Sequence, residues 1–227
     1  MKVEGQSQPA QRTLAEHIVR RRSAALAGHE GDVTTALALL RDEDPSVRAT
    51  ALGALIRLRA LGTDEASLAA SDTSASVRRR LAEEIGRMAP TDDHLVMVVV
   101  ELLDDEDDAV VESAAWAAGE CFGSTGQDPY RISAAGHMAV RKLMTMVKAH
   151  RDPLVREAAV AALGAIGAPE ALPEIRAGLR DKPAIRRRAV LALSAFDPEE
   201  IDNDLRTALA DRDWQVREAA RDLLDEL

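Results

Sequence analysis

Large aromatic side chains are nearly missing from this chain. Phe, Trp and Tyr make up 2% of 227 residues, so a core has to be assembled from alanine and aliphatic side chains. One cysteine, Cys121, excludes an internal disulfide framework and fits the reducing cytoplasm. No apolar run approaches the roughly 20 residues that span a bilayer, and the longest, LVMVVVELL, is interrupted by Glu101. The first residues, MKVEGQSQPAQ, lack the hydrophobic centre of a signal peptide, so residues 1–11 are expected to be a disordered tail. No alternating strand pattern occurs. What remains, 46% apolar and 30% charged residues, suits a folded, soluble, helix-rich protein.

A repeated unit organises the rest. DEDPSVRATALGAL, DTSASVRRRLAEEIG, DEDDAVVESAAWAAG, HRDPLVREAAVAALG, DKPAIRRRAVLAL and DRDWQVREAARDLL align on Val47, Val77, Val110, Val155, Ile185 and Val216. The anchors are 30, 33, 45, 30 and 31 residues apart, and IVRRRSAALAG places a degenerate seventh copy on Val19. The long step implies an insertion at about 122–137. In PLVREAAVAALGAIG the residues Val155, Ala158, Ala159, Ala162, Leu163 and Ile166 form one helical stripe. Asp152 and Pro153 mark its start and Gly167 its end. Small residues such as Gly119 and Gly164 allow close helix approach, and PEALPEIRAGLRD supplies a shorter return helix. A lone helix pair cannot bury its apolar stripe, so the pairs must stack. The expectation is an all-α, right-handed α-solenoid of six to seven helix pairs, a single domain over 12–227.

DPLVREAAVAALGAIGAPEALPEIRAGLRD resembles the HEAT-like repeat of phycobilisome bilin lyases, an armadillo-like α-solenoid family, in its D-x-x-V-R start, A-x-x-A-L-G-x-I-G helix and A-x-P-x-L return. The resemblance covers residues 12–227. It implies that the second helices line a concave face and that repeated Asp and Arg form a hydrogen-bonded ladder. Asp42 with Arg48, Asp72 with Arg78, Asp152 with Arg156 and Asp211 with Arg217 match that pattern, whereas Val111 replaces the arginine of the third copy.

Catalytic and metal chemistries find little support. A calcium loop starting at Asp104 would need glycine and glutamate where Ala109 and Ala115 stand. The five histidines lack zinc spacing. The di-iron hydroxylases of the family carry His-Glu after the V-R; here those positions read AT, RR, ES, EA, RR and EA. GSTGQ at 123–127 lacks the lysine and helix of a phosphate loop, and Cys121 falls on the buried stripe. No enzyme activity, cofactor or metal is expected. Three RRR triplets, at 20–22, 78–80 and 186–188, raise nucleic-acid binding, but a net charge of −10 disfavours it; solvated arginines, one of each triplet in the ladder, are the plainer reading.

The charge imbalance is local. Met88 to Tyr130 holds eleven acids and no lysine or arginine, so the remainder of the chain sums to +1. Helix capping by Asp107 explains only part of the run DDEDD at 104–108. Trp116 lies off the stripe of Val110, Ala114, Ala117 and Cys121, where Glu83 stands one copy earlier, and the resemblance puts this position on the concave face. Trp214 replaces the proline before the last helix and is expected to pack on the terminal repeat. These features predict a non-enzymatic interaction scaffold or adaptor that binds a partner on its concave face, through a basic protein segment at the acidic third repeat. The predicted contact residues are Trp116, Glu112, Asp104, Asp105, Glu106, Asp108, Glu83, Phe122 and Tyr130. The resemblance also admits an accessory or chaperone-like enzyme subunit, as in bilin lyases.

Overall fold

A computed structural model describes residues 8–89, 92–123 and 133–226. Among them are thirteen α-helices and no strand: α1 (Gln8–Glu30), α2 (Val33–Leu39), α3 (Pro45–Arg57), α4 (Thr63–Ala70), α5 (Ala75–Met88), α6 (Asp93–Leu102), α7 (Asp108–Phe122), α8 (Ala134–Ala149), α9 (Pro153–Ile166), α10 (Leu172–Gly178), α11 (Pro183–Ala192), α12 (Pro198–Ala208) and α13 (Trp214–Glu226). Residues 8–11, expected in the tail, begin α1, and residues 134–137, expected in the insertion, begin α8. The chain divides into two compact units, Met1–Glu84 and Ile85–Leu227.

Odd-numbered helices carry the repeat anchors, and even-numbered helices return. Val47, Val77, Val110, Val155, Ile185 and Val216 are all buried. Val19 is 66% exposed, because no described residue covers that face of α1. Asp44, Asp107 and Asp152 each accept the backbone N–H two residues on, at 2.8, 3.0 and 2.8 Å, which fixes the start of α3, α7 and α9. Pro45, Pro153 and Pro183 occupy first-turn positions where no N–H is needed. Gly167 closes α9 in the left-handed region at φ 69°.

Close packing of the anchor helices rests on one recurrent pair. The glycine nine residues after an anchor lies against the alanine seven residues after the next: Gly28 on Ala54, Gly86 on Ala117, Gly119 on Ala162 and Gly164 on Ala192. A Cβ at Gly164 would sit 2.6 Å from the Ala192 Cβ and 2.7 Å from its Cα, so only glycine permits this crossing. Two steps lack the pair: the corresponding residues are Ile56 and Glu84 at α3–α5, and Ser194 and Leu223 at α11–α13.

The ladder is staggered by one copy. Arg48 donates to the Asp42 carbonyl of its own copy at 2.8 Å, but its fork grips the Asp72 carboxylate of the next at 2.7 and 2.7 Å. Arg20 reaches Asp42, Arg156 reaches Asp181 and Arg186 reaches Asp211 in the same way, at 2.8, 2.7 and 2.8 Å. Within-copy pairing thus runs through the backbone carbonyl, as Arg78 to Asp72 and Arg217 to Asp211 also show. Asp152 is a cap, and Arg156 donates instead to the carbonyls of His150 and Arg151. One arginine of each triplet, Arg20, Arg78 and Arg186, belongs to this system.

Candidate protein-binding surface

The ladder breaks at the acidic third copy, and both sides of the break change together. Val111 replaces the arginine of α7, and His150 replaces the aspartate that this arginine would grip in the next copy. His150 keeps the local turn: its Nδ1 accepts the Asp152 N–H at 3.2 Å, as the Asp42 carboxylate accepts that of Asp44 at 2.9 Å. Where the missing pair would lie, a cleft of about 660 Å³ opens beside α7 and α8. Leu103, Val111, Met138 and Met146 give it an apolar wall, and Asp104, Asp105, Lys142 and His150 a polar one.

The acidic run is partly neutralised within the chain. Asp104 takes the ammonium of Lys142, which also donates to the Val100 carbonyl at 2.8 Å. Asp108 meets Arg151 at 3.2 Å and the His150 Nε2 at 3.9 Å. Asp105 accepts the Asp107 N–H at 2.9 Å, and Glu106 is exposed. Both neutralising cations lie beyond Tyr130, on and just after α8. The run is therefore a helix-start and inter-helix pairing device as well as a charged edge.

Trp116 sits elsewhere on α7. It is 40% exposed, and its ring edge lies over Gly86, where a Cβ would come within 2.6 Å of Cζ3. One turn before it stands Glu112, half-buried, and one turn after it Glu120, exposed. Residues at i, i+4 and i+8 share a helix face. Neither glutamate has an ion-pair partner among the described residues. Glu120 was not among the predicted contacts; its spacing of four residues from Trp116 is the sequence signal that places it on this face.

The other predicted contacts divide. Glu83 belongs to the first unit, where it accepts from Arg79 at 3.0 Å. Phe122 is half-buried at the end of α7, and Tyr130 lies outside the described residues. Trp214 does not pack on the terminal repeat: it is 64% exposed in the first turn of α13, a position already outside the apolar stripe. Cys121 is held as a thiol; burial, with Glu120 adding to it, pushes its pKa up to about 11. Among the described residues no three His, Cys, Asp or Glu group as metal ligands would, and no helix is long and apolar enough to cross a membrane.

Residues 140–225 match the family model described as HEAT repeats. No curated protein matches the chain. Among solved structures, an engineered protein aligns over 86% of this chain and 97% of its own, at 19% identity and a TM-score of 0.62. The complex of CpcE and CpcF of phycocyanin lyase from Nostoc sp. PCC7120 is similar over 83% of this chain and 74% of its own, at 23% identity and a TM-score of 0.57. A designed armadillo repeat protein in complex with the peptide (KR)4 is similar over 97% and 95%, at 18% identity and a TM-score of 0.53. Residues 140–225 are thus similar to HEAT repeats, and the chain has an armadillo/HEAT-like α-solenoid fold.

Proposed function

We infer that this protein is a non-enzymatic scaffold that holds a basic segment of a partner protein on the exposed stripe of α7. The observation that carries the reading is the row Glu112, Trp116 and Glu120, a half-exposed indole between two carboxylates without partners among the described residues. A lysine or arginine side chain laid across the ring gains a cation–π contact of about 0.5–1 kcal/mol, more when water is excluded. Either glutamate can then take its charged head, and the spacing of one helical turn suits every second residue of an extended basic peptide, since alternate side chains share a face. Exposed edge acids such as Glu106 raise the local negative potential and the association rate. The designed armadillo neighbour with its (KR)4 peptide supports a peptide as the kind of ligand this fold carries.

The test is a fluorescence-anisotropy titration with a labelled octapeptide of alternating lysine and arginine, at low and at physiological salt. Binding that weakens as salt rises, and is reduced in the Glu112→Gln/Glu120→Gln variant, is the expected result. Failure of the basic peptide to bind at low salt would remove the reading.

A further inference from the structure

A second cleft, of about 470 Å³, lies wholly within the first unit and has the opposite character. Three consecutive anchor helices line it at one-turn spacing: Arg21, Ala25 and His29 from α1, Thr50, Gly53 and Arg57 from α3, Ser76 and Arg80 from α5. Three guanidinium groups converge here, and no carboxylate lines the cleft. Arg21 has no partner among the described residues. Arg57 donates from Nη1 to the His29 Nε2 at 2.8 Å and meets no acid among the described residues. Arg80 is paired at one edge with Glu84 at 2.6 Å, yet its Nε is buried and has no acceptor. Gly53 lets that guanidinium lie close, since a Cβ there would stand 3.0 Å from Arg80 Nη2.

The unit around this cleft is neutral, with twelve Lys and Arg against twelve Asp and Glu in Met1–Glu84. The other acids are largely drawn away into ladder and helix contacts, such as Asp42 with Arg20, Asp72 with Arg48 and Glu83 with Arg79. Positive charge is therefore concentrated on one face by arrangement rather than by composition. An unsatisfied buried N–H costs stability unless something fills it, and guanidinium forks match carboxylate geometry.

We propose that this cleft binds an acidic segment of a polypeptide, with Arg21, Arg57 and Arg80 each meeting a carboxylate across the floor formed by Gly53 and the neighbouring alanines. Nucleic acid fits the site less well. The lining has no Phe, Tyr or Trp ring on which a base could stack, its one ring, His29, already takes a donor from Arg57, and the unit lacks the net positive charge that drives phosphate binding. The site is independent of the α7 stripe, so it stands or falls separately.

The experiment is an anisotropy titration of the full chain with a labelled octapeptide of alternating glutamate and aspartate, beside a labelled thymidine octanucleotide. The acidic peptide binds the native protein in a salt-sensitive manner. The Arg21→Glu/Arg57→Glu variant, altered only at exposed side chains, loses at least tenfold in affinity while its helical circular dichroism stays unchanged. Gly53→Leu, which fills the floor without changing charge, also loses affinity, and Trp116→Ala leaves it untouched. No binding of the peptide at low salt, equal binding by the charge-reversed variant, or tighter binding of the oligonucleotide would each overturn the proposal.

Discussion

Substituting Arg186 by glutamine tests whether the staggered ladder holds successive copies together. Its guanidinium is 6% exposed and grips Asp211, 15% exposed, through two bonds at 2.8 and 2.7 Å. A third bond, from Nη1, satisfies the Asp181 carbonyl at 2.9 Å. Without the arginine, Asp211 keeps the Asp213 N–H at 2.8 Å as its named donor. Breaking one side of a buried pair costs about 3–5 kcal/mol. Because Asp211 has some access to water, the lower end, about 3 kcal/mol, is expected. The control is Arg206, whose pair with Asp202 within one turn of α12 is 67% and 46% exposed. Such pairs are worth about 0.3–0.5 kcal/mol. Urea unfolding of the two variants measures both, and for a chain of this length 3 kcal/mol corresponds to a drop of about 6–12 °C in Tm. Adding Asp211→Asn to the Arg186 variant should recover part of the loss, because the stranded charge is then gone. If Arg186→Gln costs no more than Arg206→Gln, the ladder carries no stability and the reasoning fails.

The same bonds set an acid response. The Arg186 and Arg156 hydrogen bonds hold the Asp211 and Asp181 carboxyls below the ordinary carboxylate range. That stability is fully present above the unfolded value of about 3.9 and is lost as pH falls through the lower folded values. Arg186→Gln should flatten the pH dependence of unfolding below about pH 4. Restoring the ladder with Val111→Arg and His150→Asp together should couple favourably by about 1–3 kcal/mol in a double-mutant cycle, with each single change neutral or destabilising; additive effects would show that position 111 cannot reach position 150. Gly164→Ala should cost about 1–3 kcal/mol by thermal melting despite alanine's better helix propensity, because α9 and α11 must part. Cys121 should react with a thiol reagent far more slowly than free cysteine at neutral pH and at the ordinary rate once unfolded.

The fold was legible because its signals are local and repeated. Val155, Asp152, Pro153 and Gly167 each act within one helix, through burial, capping or a left-handed turn, and one clear copy teaches the rest. The ladder's stagger was not legible. Arg156 has a matching aspartate in its own copy and another in the next, 25 residues on, and only geometry decides that the side chain reaches forward. The acidic run misled for a related reason: the sequence window without lysine or arginine ended before Lys142 and Arg151, which come back to it in space. Trp116 was readable as lying off the buried stripe, since helical period alone removes it from the core face. Glu120 shares that face by the same period, but it stands twelve residues beyond the contiguous acids and carries no run of charge to mark it. Val19 and Trp214 kept repeat register but not burial; register is a property of the chain, whereas burial needs a neighbour.

The central claim is that Trp116 and its flanking glutamates form a binding surface for a basic peptide. Its most direct test is Trp116→Ala, measured in parallel for melting and for affinity towards the alternating lysine–arginine octapeptide, in a Trp214→Phe background. Affinity should weaken by about 30-fold, or roughly 2 kcal/mol, with a stability loss well below the 3–5 kcal/mol of a fully buried tryptophan. Unchanged affinity in a normally folded variant, or a full core-sized loss of stability, would contradict it.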